Sequence, residues 1–406
     1  MPKDWRTFQL SELMTFRNGL NYTVSDAGEA IKIVGVADFQ ARDVLNDTAA
    51  LQVVRVKGRV SDTDLLKSGD LLFVRSNGNK ALIGRCLYFP AVTDRLAFSG
   101  FTIRGRADPA KLAPDFAAYL LRAPHVAAQM QLGGAGTNIS NLSQEILNRV
   151  QIEIPGLDEQ SHITKFIKVW DLAISASEKL LTASRRQRDA LSDRLLGGGQ
   201  RLLGHTQNKK GYRLGELFDE RVEADRPDLP LLSITREQGV IPRDDVGRKD
   251  TSNEDKSKYL RVCPGDIAYN TMRMWQGVSA LSAHEGIVSP AYTVVRPKTH
   301  LIDAQFAAYL FKYRPVVFLF YRYSQGLVSD TWNLKFHHFR EIHVEIPALS
   351  EQVAIVNVLK AADEEIAALE KQLDHLREEK RALMADLLTG KRRVRMPDTT
   401  AEPEAA

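Results

Sequence analysis

The chain is written twice, and that duplication limits its architecture more than any single motif. Residues 157–196 and 349–388 align without gaps at an offset of 192, and 16 of the 40 positions are identical. Chance at ordinary residue frequencies gives about two or three. Each copy is preceded by a matching tetrapeptide, IEIP at 152–155 and VEIP at 344–347, and each opens with L-x-E-Q. Upstream the resemblance loosens and the offset drifts. FAAYL at 116–120 returns at 306–310, SGDLLF at 68–73 answers PGDIAY at 264–269, and F-x-L-x-E-L at 8–13 answers Y-x-L-x-E-L at 212–217. Landmarks that keep their order while their spacing drifts are separated by insertions and deletions. Each half is therefore a variable globular segment followed by a repeated one.

Read at alternating steps of four and three, the first repeat gives Ile163, Ile167, Trp170, Ile174, Ser177, Leu181, Ser184, Arg188, Leu191 and Leu195. The second gives Ile355, Leu359, Ala362, Ile366, Leu369, Leu373, Leu376, Lys380, Leu383 and Leu387. This is a heptad seam held for more than four heptads, set among Glu, Lys and Arg. Pro155 and Pro347 stand just before the runs, and Gly197, Gly198, Gly199 and Gly390 just after them, as helix punctuation. The spacing predicts a helix of at least 33 residues in each half, about 50 Å at the standard rise.

A stripe of two residues in seven is buried only against another helix, and the nearest partner is the other copy. The first helix leads away from the first globular segment, and the second begins directly after the second. An antiparallel pair then buries both seams, with one globular unit at each end and an approximate two-fold relation between them. The expected class is α+β: two mixed α/β domains separated by a long antiparallel two-helix coiled coil, a bar of set length. The expected boundaries are 1–155, helix 156–197, linker 198–210, second domain 211–347, helix 348–394 and a disordered tail 395–406. Arg188 and Lys380 interrupt the seam at equivalent places. The favoured expectation is that their stems pack while their heads reach solvent. The alternative pairs each with an acid near the start of the opposing helix, Glu159 or Glu351.

Composition narrows the function. The 406 residues carry a net charge of +4, with no uncharged apolar run of membrane-spanning length and no apolar core of signal-peptide length near Met1. A cytoplasmic protein is expected, and the balance permits a polyanionic partner. Cys86 and Cys263 are expected to be reduced thiols, too few for a disulfide framework or a zinc site. No G-x-S-x-G, H-E-x-x-H, Walker loop or dinucleotide fingerprint occurs. The glycine-rich 133–136 stretch lacks the following Lys-Ser or Lys-Thr of a phosphate loop. The adjacent His337 and His338 would point to opposite sides of an extended segment, and Asp244–Asp245 has no further acid and lysine at nuclease spacing. No catalytic or metal residue is expected.

Each half instead offers strand-then-polar-loop segments at matching places. In the first, Leu71 to Val74 runs into a loop containing Arg75, Asn77, Asn79 and Lys80 before a strand resumes with Ala81, Leu82 and Ile83. In the second, Ile267 to Tyr269 runs into Asn270, Arg273, Trp275 and Gln276. Arg, Asn, Gln and Lys reach guanine and adenine edges in the major groove, while Asn77–Gly78 is equally a favoured hairpin turn. A second polar loop follows, with Thr137, Asn138 and Ser140 in one half and Gln325 and Asn333 in the other. Small hydroxyl and amide residues suit phosphate contacts. These residues are the candidate DNA contacts.

Two variable domains, each followed by a long helix with L-x-E-Q at its start and a Leu-Leu-x-Gly-like end (196–198 and 388–390), resemble the DNA-specificity (S) subunit of Type I restriction–modification systems. G-D-x-x at Gly69 and Gly265, with F-A-A-Y-L before the polar loop, is similar to that family's target recognition domains. The likeness covers nearly the whole chain short of the tail after Arg395. It implies a non-catalytic reader of double-stranded DNA, holding two methyltransferase (M) subunits through its helices and recruiting a restriction/translocase (R) subunit. It implies no cofactor in this chain, with S-adenosylmethionine, ATP and Mg in the partner subunits and adenine N6 as the methylated position. Because the halves differ, the bipartite target is expected to be asymmetric. The alternatives are the reader of another restriction–methylation enzyme type, or a coiled-coil scaffold without DNA readout.

Overall fold

The computed structural model describes residues 4–22, 24–39, 42–56, 58–132, 141–235, 239–245, 255–327 and 331–394. Contacts divide the chain into two compact units, Met1–Ser177 with Gln372–Ala406, and Glu178–Lys371. Both divisions fall inside the long helices, Leu157–Gly197 and Leu349–Leu387. Each helix therefore contributes one stretch to each unit.

The first unit is built on a four-stranded antiparallel sheet in the order Met14–Asn18, Thr102–Ala107, Asp70–Val74, Cys86–Phe89. Strands Asp70–Val74 and Cys86–Phe89 are buried on both faces, because alternate side chains enter two different cores. Leu71, Phe73, Cys86 and Tyr88 join one cluster with Phe116, Ile152 and Ile154. Leu72, Val74, Leu87 and Phe89 join another with Phe39, Leu96 and Phe98. The N-terminal strand Arg6–Gln9 pairs antiparallel with Gln151–Ile154, the strand that feeds the first long helix. The glutamate of F-x-L-x-E-L closes the turn after it, with Glu12 Oε2 accepting from Gln9 N at 2.6 Å.

The second unit repeats this plan. Its four-stranded sheet runs Phe218–Glu220, Tyr292–Pro297, Ile267–Asn270, Ser279–Leu281. Strand Lys210–Arg213 pairs with His343–Ile346, and Glu216 Oε2 accepts from Arg213 N at 2.7 Å. Ile267 and Tyr269 enter a cluster with Phe306 and Phe339, while Ala268 faces Val240, Val262 and Val288.

Within each unit the two long helices run antiparallel. In the first, Asp171 meets Lys380 and Glu159 meets Arg393; in the second, Arg188 meets Asp363 and Arg201 meets Glu351. Along the seam Ile163, Ile167, Leu181, Leu195, Ile355, Leu359, Leu373 and Leu387 are buried, and Trp170, Ile174, Leu191, Ile366, Leu369, Leu376 and Leu383 are half-buried. The seam ends also complete the globular cores. Ile163, Ile167 and Leu387 pack with Phe116 in the first unit, and Leu195, Ile355 and Leu359 with Phe306 in the second. The helices are closed by Gly198 and Gly390, 192 residues apart, at φ of +79° and +69°. That left-handed geometry costs glycine nothing and ends a helix cleanly.

Three local expectations are corrected. Arg188 and Lys380 do not lift their heads into solvent; they meet carboxylates, which are Asp363 and Asp171 rather than Glu351 and Glu159. Those glutamates instead receive arginines lying beyond the helix ends, Arg201 and Arg393. After the first polar loop the strand resumes at Cys86, because Lys80–Leu82 forms a turn of 3-10 helix. His337 and His338 lie on a short helix, Phe336–Phe339, with ring centroids 4.0 Å apart.

Candidate nucleic-acid interface

In each unit the two polar loops are stitched together by the same backbone bond. Leu142 N donates to Arg75 O at 2.8 Å, and Leu334 N donates to Thr271 O at 2.8 Å. The first loop is closed at its base by Val74 N to Arg85 O in one unit and Asn270 N to Val278 O in the other. It also leans on the neighbouring strand turn, Arg75 N donating to Phe101 O and Thr271 N to Ala291 O. Shared backbone bonds carry the loops, so their side chains are free to differ.

They do differ. In the first unit Asn77 Oδ1 accepts from Asn79 N at 2.8 Å, and Asn79 Oδ1 accepts from Ala81 N at 3.1 Å, two turn-forming side chains in succession. Arg75 is half-buried and reaches Gly100 O at 3.4 Å, while Asn79 and Lys80 are exposed. Thr137, Asn138 and Ser140 lie outside the described residues.

In the second unit Asn270 Oδ1 accepts from Met272 N at 3.0 Å. Arg273 and Gln276 are exposed. Trp275 is half-buried: its indole N–H donates to Met272 O at 3.0 Å, and its ring packs edge-on to Trp332 at 5.3 Å. Gln325 and Asn333 exchange two backbone bonds of 2.8 Å, and Asn333 Nδ2 donates to Thr331 O. The structure thus brings Asn270, Trp275, Gln325 and Asn333 to one stitched pair of loops. Trp275 and Asn333 do structural work there, and Arg273 and Gln276 carry the polar groups that face outward.

The landmark residues hold this scaffold to the helices. Gln160 of L-x-E-Q is fully buried; its Oε1 accepts from Ala113 N at 2.9 Å and its Nε2 donates to Lys111 O and Pro155 O at 3.1 and 2.9 Å. Gln352 repeats all three bonds with Asp303 N, Leu301 O and Pro347 O. The tyrosine of FAAYL donates to a seam carboxylate, Tyr119 to Asp171 and Tyr309 to Asp363. Burial and that carboxylate neighbour push both phenols up from their ordinary value. The G-D aspartates are buried ion-pair partners, Asp70 of Arg106 and Asp266 of Arg221. The repetition of these residues was legible in sequence; their roles were not, because apart from Pro155 and Pro347 each partner lies 36 to 54 residues away.

Among the described residues no group of three or more His, Cys, Asp and Glu is placed to hold a metal ion, and no helix is long and apolar enough to cross a membrane. Cys86 is buried, and burial pushes its thiol up to about 12.

Known proteins share this layout. The family model described as the Type I restriction modification DNA specificity domain matches residues 2–183 and 210–377. The Type I restriction enzyme MjaVIII specificity subunit of Methanocaldococcus jannaschii is 23% identical over 426 residues, covering 97% of this chain and 94% of that protein. The crystal structure of the HsdS subunit from Thermoanaerobacter tengcongensis superposes with a TM-score of 0.53 at 16% identity, covering 97% of this chain and 98% of that one. A chain from a structure of type I R-M complex assembly and conformational transition superposes with a TM-score of 0.62 at 16% identity, over 97% and 99%. At such identities the likeness is one of fold.

Proposed function

The chain belongs to the Type I restriction–modification DNA-specificity family, and on that premise we propose that it reads an asymmetric bipartite site in double-stranded DNA, one half-site per unit. One observation carries this reading. The same pair of loops is stitched by the same backbone bond in both units, yet the side chains displayed are different. A conserved frame with exchanged side chains is how one fold presents two unlike base-reading surfaces, since backbone bonds set position and side chains set specificity.

In this reading the chain performs no chemistry. The long helices hold two methyltransferase subunits, which bring S-adenosylmethionine and the pocket that receives the target adenine for methylation at N6. A restriction/translocase subunit, working with ATP and Mg, joins the same assembly.

The test is co-expression of the full chain with its methyltransferase subunits, followed by mapping of adenine methylation in the host genome. The expected result is a single split motif whose halves differ. Exchanging residues 1–155 for the equivalent segment of another reader is expected to change one half only. Methylation scattered without a motif, or a change in both halves after the exchange, overturns the proposal.

A further inference from the structure

A cleft of about 940 Å³ opens in the first unit beside the first polar loop. Four carboxamides line it, Asn21, Gln52, Asn77 and Asn141, together with Asp38 and the ring of Phe101. Among the described residues, no lysine or arginine lines it. Asn77 shapes the loop, but the side chains of Asn21, Gln52 and Asn141 make no hydrogen bond to other described residues and are exposed. Gly100 leaves the room for one of them: a Cβ there would lie 2.1 Å from Asn21 Oδ1. Phe101, which also lines the cleft, is 63% exposed.

This lining selects the chemistry of its ligand. Among the described residues the lining itself carries a carboxylate and no cation, and the Arg75 guanidinium beside it is engaged with Gly100 O at 3.4 Å, so the sugar–phosphate backbone is a poor occupant. A carboxamide carries a donor and an acceptor side by side, which matches the N6 amino group and N7 of adenine in a bidentate pair. Asp38 keeps Oδ1 available after Oδ2 accepts from Gly35 N at 2.8 Å, and a carboxylate accepts from an exocyclic amino group. The Phe101 ring offers a stacking face or a seat for a thymine methyl. Uncharged, flat, with donors and acceptors along one edge: this describes a nucleobase.

We propose that the cleft takes a nucleobase of the first half-site, with Asn21, Gln52 and Asn141 as specificity-determining residues; the assignment rests on the DNA-reading function above. It extends the reading surface away from the loop residues Asn79 and Lys80 to side chains contributed by three other parts of the chain.

The experiment is selection from a random duplex pool by the full chain bound to its methyltransferase subunits, repeated with Asn21→Asp, Gln52→Glu and Asn141→Asp. Each substitution keeps the side chain's shape and replaces its donor by an acceptor. The expected result is a loss of preference of about ten-fold or more at one or more positions of the half-site that changes when residues 1–155 are exchanged. The other half-site stays intact and serves as the control for folding. Preferences within two-fold of wild type at every position overturn the cleft assignment and leave the DNA-reading function standing. Joint loss of both half-sites also counts against it, because no internal bond is removed. If the unaltered chain selects no motif, the DNA-reading function itself fails, and the cleft assignment with it.

Discussion

Arg188 lies 2.8 Å from Asp363, and the same carboxylate accepts the Tyr309 hydroxyl at 2.6 Å while the guanidinium stands 5.7 Å over the Tyr309 ring. Lys380, Asp171 and Tyr119 repeat the arrangement in the first unit. One carboxylate therefore ties three things together: a seam cation, the helix opposite it, and the tyrosine of the globular half. A charged residue in an apolar seam is costly unless paired, and the duplication has kept the pair with it.

Asp363→Asn is expected to lower unfolding stability by about 1 kcal/mol. The neutral amide weakens a charge-assisted bond to Arg188, and the 41% exposure of the Asp363 side chain limits the effect through solvent screening. Urea denaturation at low and high salt checks this, the difference shrinking as salt rises. An unchanged midpoint at low salt would remove the triad from the account of the seam.

Gln352→Ala is expected to cost more, about 3 kcal/mol. The side chain is fully buried and satisfies one backbone N–H and two carbonyls, which alanine leaves without partners. Val353→Ala on the exposed neighbour should stay within about 0.5 kcal/mol. Equal losses at the two positions, read by thermal or urea unfolding, would contradict the staple role.

Asp70→Ala is expected to destabilise by about 3 kcal/mol. Asp70 is fully buried and receives two bonds of 2.7 Å from Arg106, and its removal leaves the half-buried guanidinium without its carboxylate partner. Arg106→Met, measured beside it, should leave the buried aspartate with its bond from Lys67 N but no counter-charge, and cost a comparable amount. A stable Asp70→Ala protein would show that the G-D motif serves something other than this pair.

Arg273→Ala is expected to leave stability unchanged, since the side chain is exposed and makes no bond to other described residues. Its expected effect is on DNA: a loss of about 1–3 kcal/mol and relaxed preference at one half-site. A uniform loss across sequences would assign it to phosphate instead.

Cys86 is expected to resist alkylation. Its thiol is buried and pushed up to about 12, so almost no thiolate exists at neutral pH. Iodoacetamide labelling of the native protein at pH 8, read by peptide mass, should find Cys86 unmodified until the chain is unfolded. Rapid native labelling at Cys86 would contradict its burial.

Much of the fold was legible because duplication and helical periodicity are properties of the chain itself. The repeat at 192, the run from Ile163 to Leu195, and the glycines at 198 and 390 are all local or strictly periodic signals. The partner of Arg188 was not legible in the same way. Glu159 and Glu351 were reasonable from their place at the helix starts, but arginines beyond the helix ends reach them first, and the antiparallel stagger puts Asp363 opposite Arg188. Stagger is a property of two helices packed together, and no residue encodes it alone.

The candidate site divides along the same line. The sequence by itself determined that two polar loops recur beside a matching strand in each half, because strand and loop alternate within a few residues. Only the tertiary structure decided that Leu142 closes on Arg75 and Leu334 on Thr271, that Trp275 is bound into the scaffold, and that Asn21 and Gln52 share a cleft with Asn141. The reason is distance along the chain. Residues separated by about thirty to 120 positions meet only when a sheet and its cores have fixed where each loop emerges, and that is settled by the packing of the whole unit.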